Sequence, residues 1–410
     1  MTLLQVKPPL KQLFLLFIAD VQAVRRSEMS QSDIGTAIFD ELTTTEPALN
    51  QARLDVLFQD FVAGAVLGEQ HYGTPTSTLC KGITERAVRL GLYASALDMD
   101  DVDWKVLTHP GSIIWPAAIA VGIELNLSLS ELYKAASYGY RTGATTAHFF
   151  GATHRAKWHV TSTSGALAAT SAAAIALGLT PDQHRNALHI CAANIGGSPQ
   201  AGFERRGAPQ TNRAAAISLG ITSAHAALLG SPHIEDIWNG PRGLIEMFSL
   251  EATSPEILDG VSTAELRLID TNGFAHSAVT AAWKLYGRVN EKVDSITLTL
   301  PASVKGILDA SLGGSWWNSA YAIAALWESG DPTNLQSASH FLSKISLEFG
   351  EMPIGAGRVS VRTATGEHEE YVERAPEEIS WRNIKWGKAG ISSSEEAYLR
   401  CSNFPLAALR

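Results

Sequence analysis

The chain has 410 residues, 45% of them hydrophobic and 18% charged, which is enough apolar side chain for a large core and fits two or three domains. A net charge of −9 with no basic stripe argues against a nucleic-acid partner. The three cysteines, Cys80, Cys191 and Cys401, stand far apart with no C-x-x-C; this excludes a disulfide framework or thiolate zinc site and points to a reducing, cytoplasmic compartment.

In chain order, Leu13 to Ala19 is an apolar run behind Lys7 and Lys11. It is far too short to span a bilayer and at the short limit for a secretory signal. The reading favours an N-terminal extension, or a start at Met29, and no membrane partner. From about Glu46 to Ala227 apolar residues recur at helical spacing, as Ala52, Val56, Leu57, Phe61 and Ala63 do within Pro47 to Leu67. Helices follow over Ser112 to Leu127, Ser130 to Phe149, Ser162 to Leu177, Pro181 to Ile195 and Ala214 to Leu229, with start signals at Leu129–Ser130 and Thr180–Pro181. Ser164 to Leu177 is small and apolar all round, which marks a helix buried on every side.

The texture changes after about Val261. Val293 to Leu300 alternates as a strand, Ile345 to Phe349 is a second, and Val359 to Glu373 reads as a hairpin turning at Thr365–Gly366. Between the strands, Ser315 to Leu326 and Asn334 to Leu342 read as helices. Glu377 to Arg410 is polar until a short helix near Glu395 to Cys401. The expected fold is mainly α: an N-terminal extension and first helix over residues 1–45, a large helical domain over 46–261, a smaller α+β lid over 262–378, and a segment over 379–410 returning to the helical domain.

Three polar islands interrupt these apolar helices. The first is Asp98-Met-Asp-Asp-Val-Asp103 followed by Thr108-His109-Pro-Gly-Ser112. Four carboxylates in six residues are costly to bury unless paired or used, so the segment is either a site that brings Asp98 to His109 or a solvated acidic loop. The same letters spell the D-x-D-D of some terpene cyclases, but the aromatic repeats such a cavity needs are lacking. The second island, Thr153 to Ser162, sets His154, Arg155, Lys157 and His159 before the all-apolar helix, whose N-terminus suits an anion. The third, Asn194 to Gly207, carries glycines and the pair Arg205–Arg206, which could hold a carboxylate or simply form a surface loop. No dinucleotide, phosphate-loop or zinc-protease motif occurs, so no cofactor is expected.

Read in order, these islands resemble the MmgE/PrpD family, which includes 2-methylcitrate dehydratases, cis-aconitate decarboxylases and an iminodisuccinate epimerase. Leu97-Asp-Met-Asp-Asp…Thr108-His-Pro-Gly-Ser…Pro116-Ala, Trp158-His-Val-Thr-Ser-Thr-Ser-Gly and Asn318-Ser-Ala-Tyr-Ala-Ile-Ala-Ala are similar to three of its blocks. The resemblance runs from about Glu46 to Glu395. It implies a homodimer of a helical domain and an α+β lid, a site between them, and bond breaking next to a carboxylate of a small di- or tricarboxylate substrate. The reaction implied is dehydration or decarboxylation by a lyase; the alternatives are an isomerase or epimerase on the same fold and a catalytically altered or non-enzymatic family member. Carried over residue by residue, it makes Asp98, His109, His159 and Tyr321 catalytic, and Arg267 and His276 substrate-binding; Arg206, beside the Gly207 that stands where the family has a lysine, is read as a further grip on a substrate carboxylate. Arg267 stands where the family has a lysine. The chain also departs from the pattern at Val102, Asp103, Gly207 and Gln210-Thr-Asn212.

Overall fold

The computed structural model describes residues 31–73, 82–200, 208–232, 234–239, 241–250, 256–269, 271–308, 319–338, 340–375 and 379–403. The apolar run at Leu13 to Ala19, Cys80, the Arg205–Arg206 pair and Gly207 lie outside the described residues.

The larger part is helical. Helices α1 (Gln31–Thr44), α2 (Gln51–Tyr72) and α3 (Ile83–Ala94) lead to α4 (Gly111–Leu125), α5 (Leu129–Lys157), α6 (Val160–Ala176), α7 (Pro181–Ala192), α8 (Ala208–Leu228) and the short α9 (Leu244–Phe248). The start signals act as capping boxes. Ser128 accepts from the Glu131 amide and Glu131 returns to the Ser128 amide; Thr180 and Gln183 do the same ahead of Pro181. Gly151, at φ 74°, kinks α5 near its C-terminal end.

Helix α6 is the axis of this part, packed by α4, α5, α7 and α8. Sixteen of its residues are buried, none larger than leucine. Small residues let the neighbours come to backbone contact: a Cβ on Gly220 of α8 would lie 2.7 Å from the Thr170 amide of α6, and one on Gly139 of α5 would lie 3.2 Å from the Ala168 carbonyl. The all-apolar pattern of Ser164 to Leu177 is thus the pattern of a central helix.

The smaller part carries a four-stranded mixed sheet in the order β4–β3–β5–β6. Its strands are β3 (Val293–Pro301), β4 (Ile345–Gly350), β5 (Gly357–Thr363) and β6 (Gly366–Val372). Val293, Ile296, Leu298 and Leu300 turn inward, as their alternation predicts. Strand β4 pairs with β3 in parallel, and the β5–β6 hairpin turns at Thr363↔Gly366. Helix α10 (His276–Tyr286) packs on β5 and β6, and α11 (Ala320–Ser329) packs on α10.

Two expectations are corrected. Asn334 to Leu342 forms only short 3-10 turns, Leu335–Ser337 and Phe341–Lys344. The Ser337 hydroxyl donates to the Asn334 carbonyl at 2.8 Å and the Ser343 hydroxyl to the His340 carbonyl at 3.0 Å, local bonds that compete with a continuous helix. The stretch read as polar after Glu377 contains α12 (Ile379–Ala389), ahead of α13 (Ser394–Asn403). Both return to α2.

The two parts are tied near the first polar island. Strand β1 (Val102–Asp103) pairs antiparallel with β2 (Ala264–Glu265). The Thr263 hydroxyl donates to the Asp103 carboxylate at 2.6 Å. Trp104 packs on Phe274 and lies under the Arg374 guanidinium. Among the described residues no helix is long and apolar enough to cross a membrane.

Candidate active site

The acidic loop is folded inward. Asp100, Asp101 and Asp103 are buried and the Asp98 side chain is 14% exposed, so the solvated alternative does not hold. Backbone conformation aims the two ends of the loop. Asp98 (φ 54°) and Leu107 (φ 57°) both adopt the left-handed region, which costs a non-glycine residue about 1–2 kcal/mol. Such strain persists where the surroundings fix it. Here a β-bridge between Asp103 and Thr108 closes the loop and delivers His109 to the start of α4.

Each carboxylate has a defined partner. Asp98 pairs with Arg267 Nη1 at 2.8 Å. Asp100 accepts from Arg267 Nη2 and pairs with Arg213 Nη1 at 2.8 Å; the Arg267 Nε–H donates to the Asp100 carbonyl at 2.5 Å. Burial alone would raise the Asp100 carboxyl, but Arg213 and Arg267 beside it hold it well below the ordinary carboxylate range. Asp101 accepts from the Tyr140 hydroxyl at 2.6 Å and the Gly111 amide at 2.7 Å, and Trp115 donates to Tyr140. Gly111 is needed for that approach, since a Cβ there would meet the Asp101 carboxylate at 2.6 Å. With no cation on it, burial pushes Asp101 up to about 7. Lys385 of α12 closes the base of the cluster. Its ammonium contacts both Asp60 carboxylate oxygens at 2.7 Å and donates to the carbonyls of Met99 (2.7 Å) and Arg267 (3.2 Å).

Two histidines border this network. His109 Nδ1–H donates to the Asp101 carbonyl at 3.2 Å, which leaves Nε2 as an unprotonated lone pair. The His109 amide is bonded to the Thr161 hydroxyl at 3.3 Å, so the first island abuts the opening turn of α6. His159 is the N-cap of α6, and its side chain makes no capping bond. Its amide donates to the Gly197 carbonyl at 3.0 Å, and the Ser162 hydroxyl bridges the carbonyls of Gly196 (2.7 Å) and Asn212 (3.1 Å). Gly197, at φ 132° and with Ser162 2.8 Å from its would-be Cβ, has to be glycine. The glycine loop and the start of α8 are thereby fastened to the α6 N-terminus. Burial pushes both imidazoles down to about 3, with Arg267 and Arg213 adding to it at His109, and Arg213 at His159. Both are neutral at pH 7.

The structure therefore brings Asp98, His109, His159 and Arg267 into one neighbourhood. Arg206 lies outside the described residues. Arg267 and His276, expected to grip substrate, face inward. All three Arg267 guanidinium nitrogens are engaged by Asp98 and Asp100, and the His276 Nε2–H is directed at the carbonyls of Ile269 (3.1 Å) and Thr271 (3.2 Å). Burial, with Arg267 beside it, holds His276 at about 3, a neutral spacer. Tyr321 is half-buried on α11 against the apolar cluster of Ala324, Ala325 and Ala338. Among the described residues it has no hydrogen bond to the Asp98–His109 network. His154, from the second island, is buried against Phe248 and bonded to Thr163 at 2.8 Å. Among the described residues no group of three or more His, Cys, Asp or Glu side chains could hold a metal ion.

Residues 16–257, more than half of the chain, match the MmgE/PrpD N-terminal domain. The chain belongs to the MmgE/PrpD family. Its large helical part and smaller α+β part are the architecture expected of an MmgE/PrpD protein. Membership carries an association with lyase and isomerase activity on small carboxylate substrates. No curated protein matches the chain. The matched region holds the residue that sequence reasoning missed, Arg213. It follows Gln210-Thr-Asn212, and its partner Asp100 lies ahead of α4, with four helices between it and α8; nothing local marks it.

Proposed function

We propose that this MmgE/PrpD protein is a lyase that removes water or CO2 from a small di- or tricarboxylate by moving a proton at the carbon next to a carboxylate. One observation carries the reading: two neutral imidazoles, His109 and His159, border a common arginine, Arg213, at the uncapped N-terminus of α6. Breaking a bond beside a carboxylate develops negative charge on an enolate, which needs preorganised positive charge and a side chain to move the proton. Arg213 and the α6 N-terminus supply the first, the histidine lone pairs the second. His109 is the better-oriented base, because the Asp101 carbonyl fixes its tautomer. Asp98 acts through Arg267, keeping the loop rigid. Tyr321 would serve only from the lid, residues 262–378, if that part closes on the helical part. The enzyme is proposed to act as a cytoplasmic homodimer without an organic cofactor.

A second reading is favoured by the pairing of two like bases, which suits an epimerase that removes a proton on one side and returns it on the other. Incubation with a panel of di- and tricarboxylates in deuterated water separates the two. Loss of water or CO2 supports the lyase; deuterium uptake without loss supports the isomerase. No change in any substrate, with no ligand-induced rise in melting temperature, would sink both.

A further inference from the structure

Three cations stand in the cluster, and the structure distinguishes them. Arg267 has its three nitrogens on Asp98, the Asp100 carboxylate and the Asp100 carbonyl. Lys385 is spent on Asp60 and the carbonyls of Met99 and Arg267. Arg213 is as buried as they are, 3% exposed, yet among the described residues only its Nη1 is engaged, on Asp100. Among the described residues its Nε–H is buried without a partner, and so is His159 Nδ1. Buried, unpartnered donors are rare in folded proteins and call for an occupant. The α6 N-terminus beside them opens without a side-chain cap and adds its own pull on an anion.

We infer that Arg213, held in place by Asp100, is the residue that grips the substrate carboxylate, presenting it to His109 and His159. This rests on the proposed proton-transfer chemistry and adds the anion subsite to it. A guanidinium with only Nη1 on Asp100 keeps donors for a carboxylate. The geometry also couples binding to basicity. Burial holds both imidazoles below their ordinary range and Arg213 adds to it; a carboxylate that neutralises Arg213 relieves that added part and makes each histidine a stronger base when substrate is present.

The test is calorimetric titration with tricarballylate and with succinate, saturated acids that need no turnover, on the full chain and on Arg213→Lys and Arg213→Gln. Because Arg213→Gln leaves Asp100 short of a partner, the charge-balanced Asp100→Asn/Arg213→Gln variant is measured beside it, with melting checked for each. Binding by the wild type, weakened about tenfold or more in both Gln-bearing variants and less in Arg213→Lys, is the expected result. Nitrogen NMR of the wild type should show the His109 and His159 pKa values rising when tricarballylate binds. Equal affinity in all variants, or no binding of either acid by the wild type, overturns the assignment. Arg213-dependent binding without water or CO2 loss from any panel substrate would uphold the subsite while removing the lyase reading; turnover with Arg213-independent binding would do the reverse.

Discussion

Two side chains in the cluster carry different burdens, and substitution should separate them. His159 caps α6 through its backbone only, and its ring makes no hydrogen bond among the described residues. His159→Ala should therefore lower kcat by about 10²–10⁴, the range for loss of a general acid or base. Melting should stay near the wild-type value; a large drop in melting temperature would show that the ring is structural. Arg267 should behave oppositely. Removing it strips the cation from Asp98 and leaves the buried Asp100 with Arg213 alone, and breaking a buried pair costs about 3–5 kcal/mol. Denaturant unfolding of Arg267→Met should show that loss. If the variant instead keeps full stability and only raises KM, Arg267 touches substrate after all.

At the scale of elements, α6 depends on the smallness of what surrounds it. Gly220→Ala would drive a methyl to 2.7 Å from the Thr170 amide, where backbone rather than a movable side chain must yield, and overpacking of this kind costs about 1–3 kcal/mol. Circular-dichroism melting of that variant checks the close packing, and an unshifted midpoint would refute it. These elements also show what a sequence discloses. Helix α6 and the alternation of β3 were legible because burial on all sides, or on every second residue, is written in apolar letters. Helix α12 was not, because among its described side chains the one wholly buried away from its ends is Lys385, while Ile384 is 47% exposed; a periodicity of apolar residues reads such a helix as a polar tail. The site divides the same way. Asp98, His109 and His159 lie in dense local islands that invite attention, whereas Arg213 is one arginine before an alanine run, and only the fold sets it on Asp100. Tyr321 had a recognisable neighbourhood, but its neighbours are the smaller α+β part's own apolar residues.

For the molecule as a whole, stability should fall as pH drops below neutrality. His184 and His276 are buried and held at about 3, so each stays neutral in the folded chain down to that pH, whereas in the unfolded chain it takes up a proton below about 6.5. The unfolded state then binds more protons, and each of the two erodes stability by up to about 1.4 kcal/mol per pH unit between roughly 6.5 and 3. Asp101 acts in the other direction. Its carboxyl, raised to about 7, holds its proton in the folded state while the unfolded one has lost it, so stability attributable to it declines as pH rises from about 4 to 7. Urea midpoints measured from pH 8 to 5 should decrease with acid in the wild type and more steeply in Asp101→Asn; a flat profile would mean the histidines are not buried neutral. Lys385 has a further consequence, one of timing. The ammonium that holds the Met99 and Arg267 carbonyls arrives on α12, after every other member of the cluster has been synthesised. A nascent chain can bury α6 early through contacts among neighbouring helices, but the closure of the cluster spans the distance from Asp60 to Lys385 and belongs to the slow, non-local end of folding. Substrate-binding competence should thus appear late in refolding, lagging helix formation, and a ribosome-bound chain would be a folded body without a finished site.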